Sequence, residues 1–176
     1  RIIVLDGNEP GSPTHDTHGG YPSYVGKVQQ AWLEKQLTET AEPVLILSHQ
    51  PLAGIAALDN AQEMQELLAR FSDKILLCMN GHAHVDQHTD DQGVDYLQIN
   101  SASYYWLGGK VRLAEYKDPL FATITIDPAA STITVAGRKS TWADGTPDDV
   151  NYFTGKRKDW AQWVKPEISE RQLNLG

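Results

Sequence analysis

The sequence predicts an α/β fold in which parallel strand–helix units are followed by short antiparallel strands. Three observations carry this. Apolar runs at residues 2–5, 44–47 and 75–79 read as buried strands. Helical periodicity fills both intervals between them. Beyond residue 84 the pattern breaks into short alternating segments separated by turn-forming residues.

Taken in order, the run Ile2-Ile3-Val4-Leu5 predicts a first strand, closed by Asp6-Gly7-Asn8-Glu9-Pro10. The following stretch is rich in Gly, Pro, Ser and Thr and reads as loop, with His15 and His18 in it as solvated residues near a site rim. Val25, Val28, Trp32, Leu33 and Leu37 fall at helical spacing, with Trp32 expected to pack that helix onto the sheet. A second strand runs over residues 44–47. Asp59 or Asn60 then caps a second helix, with Glu63 as capping-box partner of Asn60 and Met64, Leu67, Leu68 and Phe71 as its buried face. Strand–helix–strand–helix–strand implies parallel neighbours joined by crossovers.

The second half reads differently. Short strands are expected over residues 85–89, 95–100, 120–126 and 132–136, with Asp90-Asp91-Gln92-Gly93 as a solvated turn and residues 127–131 as a hairpin connection. His88, near Asp86, Asp90 and Asp91, reads as a surface or supporting residue rather than a ligand. Residues 101–109 (SASYYWLGG) form an anchored aromatic loop or a wall of a substrate cleft, with Tyr104, Tyr105 and Trp106 as candidate substrate-binding residues. The division expected is a domain over residues 1–137 and a polar extension over 138–176, pinned back by Trp142, Trp160 and Trp163.

Composition narrows the function classes. A formal charge of -8 disfavours nucleic acid or an anionic membrane as main partner. No apolar run reaches the length of a membrane span, and no signal-peptide pattern opens the chain. The chain opens on a strand without Met and is expected to be a processed or truncated piece, so the compartment stays open. Cys78 is the one cysteine and reads as a buried structural thiol.

The chemistry concentrates at two strand ends. The run at 75–79 empties into Asn80-Gly81-His82-Ala83-His84, and the run at 44–47 into Ser48-His49-Gln50-Pro51. Neutral imidazole is the commonest side-chain metal ligand. On extended backbone, residues two apart project to one side, so His82 and His84 are expected to face one site. Sites in open α/β sheets lie outside the carboxyl ends of the strands, which puts His49, His82 and His84 along one edge.

The pair SHQP and NGHAH, each closing a strand and separated by one helix, resembles the C-terminal half of the calcineurin-like metallophosphoesterase superfamily, over roughly residues 1–137. That resemblance implies a four-layer α/β/β/α sandwich, of which this chain is the C-terminal part. It implies a dinuclear centre of two divalent or trivalent ions (Zn, Mn, Fe or Ni), with His49 and His82 on one ion and His84 on the other. Two such ions about 3.5–4 Å apart share a hydroxide and stabilise an in-line displacement at phosphorus. The activity implied is that of a hydrolase, phosphatase or phosphodiesterase, acting on a small phosphoester.

The chain departs from the superfamily in one respect. The Asp-x-His, Gly-Asp and Gly-Asn-His motifs of the family's first half are absent, and Glu9 stands where the last would need His. The bridging carboxylate and catalytic histidine are thus missing, and the isolated chain is expected to be inactive unless an N-terminal segment or a second chain complements it. Two other readings remain. One is a mononuclear zinc hydrolase on His49, His82 and His84. The other is a non-enzymatic binding domain with vestigial histidines.

Overall fold

The computed structural model describes residues 1–12, 22–108 and 112–174. His15 and His18 lie outside the described residues. The chain divides into two compact units, one holding Arg1–Ala83 and His88–Gln98, the other His84–Gln87 and Ile99 onward.

The first unit is built on β1 (Ile2–Leu5), β2 (Val44–Ser48), β3 (Ile75–Asn80), β4 (Gln87–Asp91) and β5 (Val94–Gln98). Their order in the sheet is β1-β2-β3-β5-β4. The pairs β1–β2, β2–β3 and β3–β5 are parallel. The expected parallel strand–helix units are therefore present, and the fold is a mixed α/β arrangement. The strand at 94–98 corrects the expectation that the antiparallel half begins at residue 85, because it joins the first sheet beside β3. The connection that allows this is a two-residue turn at Gln92-Gly93 with φ of 52° and 78°, the left-handed pair that hairpins favour. His88 Nε2 and Asp95 Oδ1 lie 2.6 Å apart within that hairpin.

Helices α1 (Lys27–Glu39) and α2 (Ala61–Ala69) bury one face of the sheet. Ile3, Leu5, Val44, Ile46, Ile75 and Cys78 from the strands meet Leu33, Leu37, Met64, Leu67 and Leu68 from the helices. The buried stripe of α1 differs from expectation. It is Gln30, Leu33 and Leu37, while Trp32 is 44% and Val28 85% exposed. Gln30 occupies the inward position because its amide is satisfied there, donating to Val25 O (2.8 Å) and Glu63 Oε2 (3.0 Å). Asn60 does precede α2, but without a side-chain cap. Its carboxamide pairs with the backbone of Val25 in both directions (3.2 and 2.9 Å) and with Glu63.

In the second unit, residues 104–106 are a strand rather than a loop. β6 (Tyr104–Trp106) pairs antiparallel with β7 (Leu113–Glu115). Alternating aromatic and branched residues suit a pleated ribbon, which overrides the glycine signal around them. β8 (Ala122–Asp127) and β9 (Thr132–Gly137) form the expected hairpin, with Ile124 opposite Val135 and Ile126 opposite Ile133. The tail supplies a strand that no sequence pattern announced: β10 (Arg171–Asn174) pairs antiparallel with β9. Gly137 admits this close approach, since a Cβ there would lie 2.0 Å from the carbonyl oxygen of Ile168. The Trp142 ring lies 5.3 Å from that of Tyr116, tilted by 48°. Among the described residues no helix is long and apolar enough to cross a membrane.

Candidate metal centre

Parallel register brings the two histidine-bearing exits together. Ser48 stands opposite Asn80, so the next residues, His49 and Gly81, leave adjacent strands side by side. The Gly81 N–H donates to the His49 carbonyl (3.2 Å), one further rung beyond the sheet. His82 Nδ1 and His49 Nε2 then stand 3.3 Å apart, with ring centroids at 5.1 Å and planes at 74°. Two nitrogens bound at about 2.05 Å to one tetrahedral ion are about 3.3 Å apart. The same spacing suits a single N–H···N hydrogen bond between the two rings.

The backbone that achieves this is not the extended segment expected. His82 has φ 65° and His84 φ 54°. The Ala83 N–H donates to Gly81 O (2.8 Å), which makes His82 the apex of a γ-turn with positive central φ, a rare and strained conformation. Strain of this kind persists where the surroundings over-determine it, and it clusters at functional sites. His84 falls in the second unit, its ring 5.2 Å from that of Tyr104 at 66°. Among the described residues, no group of three or more His, Cys, Asp and Glu is arranged to hold a metal ion.

Neighbouring residues sharpen the chemistry. Asn80 is 6% exposed and its Oδ1 has no hydrogen-bond partner among the described residues. A buried carbonyl oxygen left unpaired costs about 1–3 kcal/mol. A carboxamide oxygen of this kind is one that a hard or borderline cation accepts as a ligand. The two imidazoles brought together are donors that suit a borderline divalent ion. Gln50 is fully buried and donates to Asn8 Oδ1 at 2.6 Å, fixing the loop after β1 beside the loop after β2. Glu9 accepts from the Gly26 N–H that opens α1, a favourable position for a carboxylate. Cys78 is buried, and desolvation pushes its thiol far above the usual range, so it supplies no thiolate.

Of the candidate substrate residues, Tyr104 meets His84 and Trp106 is 59% exposed. Tyr105 turns inward, donating to the Tyr152 hydroxyl at 3.4 Å, and burial raises its phenol well above the ordinary value. Alternation along β6 separates it from the other two. The sequence reading gave Asn80 and Asp86 no role. A polar residue closing an apolar strand was the available signal for Asn80. Asp86 offered none, because its partners lie more than eighty residues away in sequence.

No family model and no curated protein matches the chain. Among solved structures it is similar to GAP50, the anchor in the inner membrane complex of Plasmodium, with a TM-score of 0.52 and 14% identity. The match covers 99% of this chain and 49% of that one, so this chain spans about half the length of the neighbour. At that identity the likeness is one of fold.

Proposed function

We propose that this chain is the C-terminal part of a metallophosphoesterase-type α/β/β/α sandwich and carries part of a metal centre for phosphoester hydrolysis. The observation that carries the reading is the His49–His82 pair, 3.3 Å apart at the carboxyl ends of adjacent parallel strands. A strained backbone at His82 and the orphaned oxygen of Asn80 beside it support the same site. His49 and His82 hold the ion, and Asn80 offers it an oxygen directly or through water. When bound, such an ion polarises a phosphoryl oxygen and lowers the pKa of a coordinated water. What the chain's own residues do is narrower. The imidazoles hold the site without neutralising it, and the hydrogen bonds of Gly81 and Gln50 keep the loops in place.

His84 is the proposed ligand of another ion, and the ligands this chain lacks come from a complementing N-terminal segment or second chain. The isolated chain therefore binds at most one ion tightly and hydrolyses phosphoesters poorly. Elemental analysis of the native chain and of His82→Ala, alongside an aryl phosphate assay, tests this. One ion or fewer per native chain, lost in the variant and without activity, is the expected result. Hydrolysis by the purified chain that depends on His82 refutes the incomplete-site reading. Metal content indifferent to both His49→Ala and His82→Ala removes the metal centre altogether.

A further inference from the structure

Resting on that reading of the site, we infer that Asp86, clamped by the C-terminal tail, is the positioning residue for His84. The four residues His84–Gln87 belong to the second unit, while the chain on either side belongs to the first. Within this short excursion Val85 is fully buried and Asp86 is 4% exposed. Asp86 is held on every side. Its Oδ1 accepts from Arg171 Nη1 (2.7 Å), and its Oδ2 from the Ser169 N–H (3.0 Å) and hydroxyl (2.6 Å). Its own N–H donates to Trp163 O (3.2 Å), and its carbonyl accepts from Arg171 Nη2 at 3.5 Å. Arg171 is itself fixed, donating to Ser169 O (3.1 Å) and standing opposite Val135 in the β9–β10 pair.

A tether of this kind two residues from His84 has a specific consequence. His84 takes φ 54°, a left-handed conformation that costs an L-residue stability and is kept only when its surroundings enforce it. The downstream end of that turn is secured by Asp86, and the ring is oriented by its edge contact with Tyr104. The tail thus works as a brace that sets the direction of an imidazole.

The test uses the full chain and the variants Asp86→Asn, Arg171→Lys and Ser169→Ala, with His84→Gln to assign the ring resonances. In metal-free protein, Asp86→Asn is expected to shift and broaden the His84 imidazole resonances while leaving those of His49 in place. Arg171→Lys should do so less, and Ser169→Ala least, because the Ser169 N–H contact survives. Cobalt(II) binding should be lost in His49→Ala and His82→Ala and unchanged in Asp86→Asn, because the tightly bound ion rests on His49 and His82 and not on His84. His84 resonances unchanged in folded Arg171→Lys and Ser169→Ala, or in folded Asp86→Asn, overturn the proposal. Resonances that move while cobalt binding is indifferent to His49→Ala and His82→Ala uphold the brace and refute the metal centre, so the two failures are distinct.

Discussion

Asn80 and Asp86 stand six residues apart, both buried and polar, and their surroundings are opposite. Asn80 closes β3 with an oxygen that has no partner among the described residues, next to a histidine in a strained turn. Asp86 receives Arg171, the Ser169 hydroxyl and the Ser169 N–H on its two carboxylate oxygens. Leaving a buried acceptor empty lowers stability, and proteins tolerate it mainly where something else fills the gap. Saturating a buried charge serves architecture instead. The difference separates the residue proposed to meet a ligand from the residue that holds the frame.

The contrast is broken most forcefully at Asp86. Its side chain is 2% and that of Arg171 15% exposed, so removing one partner strands the other charge. Asp86→Ala or Arg171→Met alone should cost about 3–5 kcal/mol. The double change Asp86→Leu with Arg171→Met should recover much of that, since it removes both desolvation penalties. Urea denaturation of the singles and the double measures the coupling. A double no better than the worse single would mean that Asp86 is held by something other than this pair.

A smaller effect comes from another saturated group of the second unit. Tyr116 donates to Asn100 Oδ1 at 2.9 Å and is 7% exposed. Burial pushes its phenol up from 10.0 to about 12, against the opposing influence of its hydrogen bonds with Asn100 and Ser101. The sign follows from proton counting. Below pH 10 both folded and unfolded chains keep the proton, and stability is unaffected. Between pH 10 and 12 the unfolded chain has released it and the folded chain has not, so stability falls by about 1.4 kcal/mol per pH unit for that proton. Tyr96, Tyr105 and Cys78 shift in the same direction and add to the slope. Tyr116→Phe should make the alkaline slope shallower by about one proton, read from urea midpoints across this range. An unchanged slope would mean that Tyr116 is not protected as its burial indicates.

How much of this was legible in the sequence follows from the range of the interactions. Local and periodic features carried the parallel half: β1, β2 and β3 and both helices sit where their apolar patterns put them. The proximity of His49 and His82 was readable because parallel strands align their carboxyl ends whatever lies between. What failed was set by distant partners. Trp32 faces solvent because Gln30 finds its acceptors at Val25 and Glu63. Gly137 lets the Ile168 carbonyl approach just ahead of β10, and neither residue advertises the other. The γ-turn at His82 was hidden for a different reason. His-x-His spacing gives the same pattern in extended and in turned backbone, and only the dihedral angles tell them apart.

The smallest effect, and the sharpest, concerns that turn. With φ at 65°, the His82 backbone sits where glycine rests without strain and an L-residue does not. Replacing the ring by a methyl group keeps the backbone penalty, whereas His82→Gly relieves it. In metal-free protein His82→Gly should therefore be more stable than His82→Ala by about 1 kcal/mol, net of the extra freedom glycine brings to the unfolded chain. Both variants should lose the ion equally, because both lack the imidazole. Asn80→Leu completes the comparison. It removes an unpaired buried oxygen and should change stability by less than about 1 kcal/mol, or raise it, while weakening metal binding. If His82→Gly is instead the less stable variant, the turn is not strained at His82, and the strand end owes its shape to side-chain contacts rather than to a backbone held ready for a ligand.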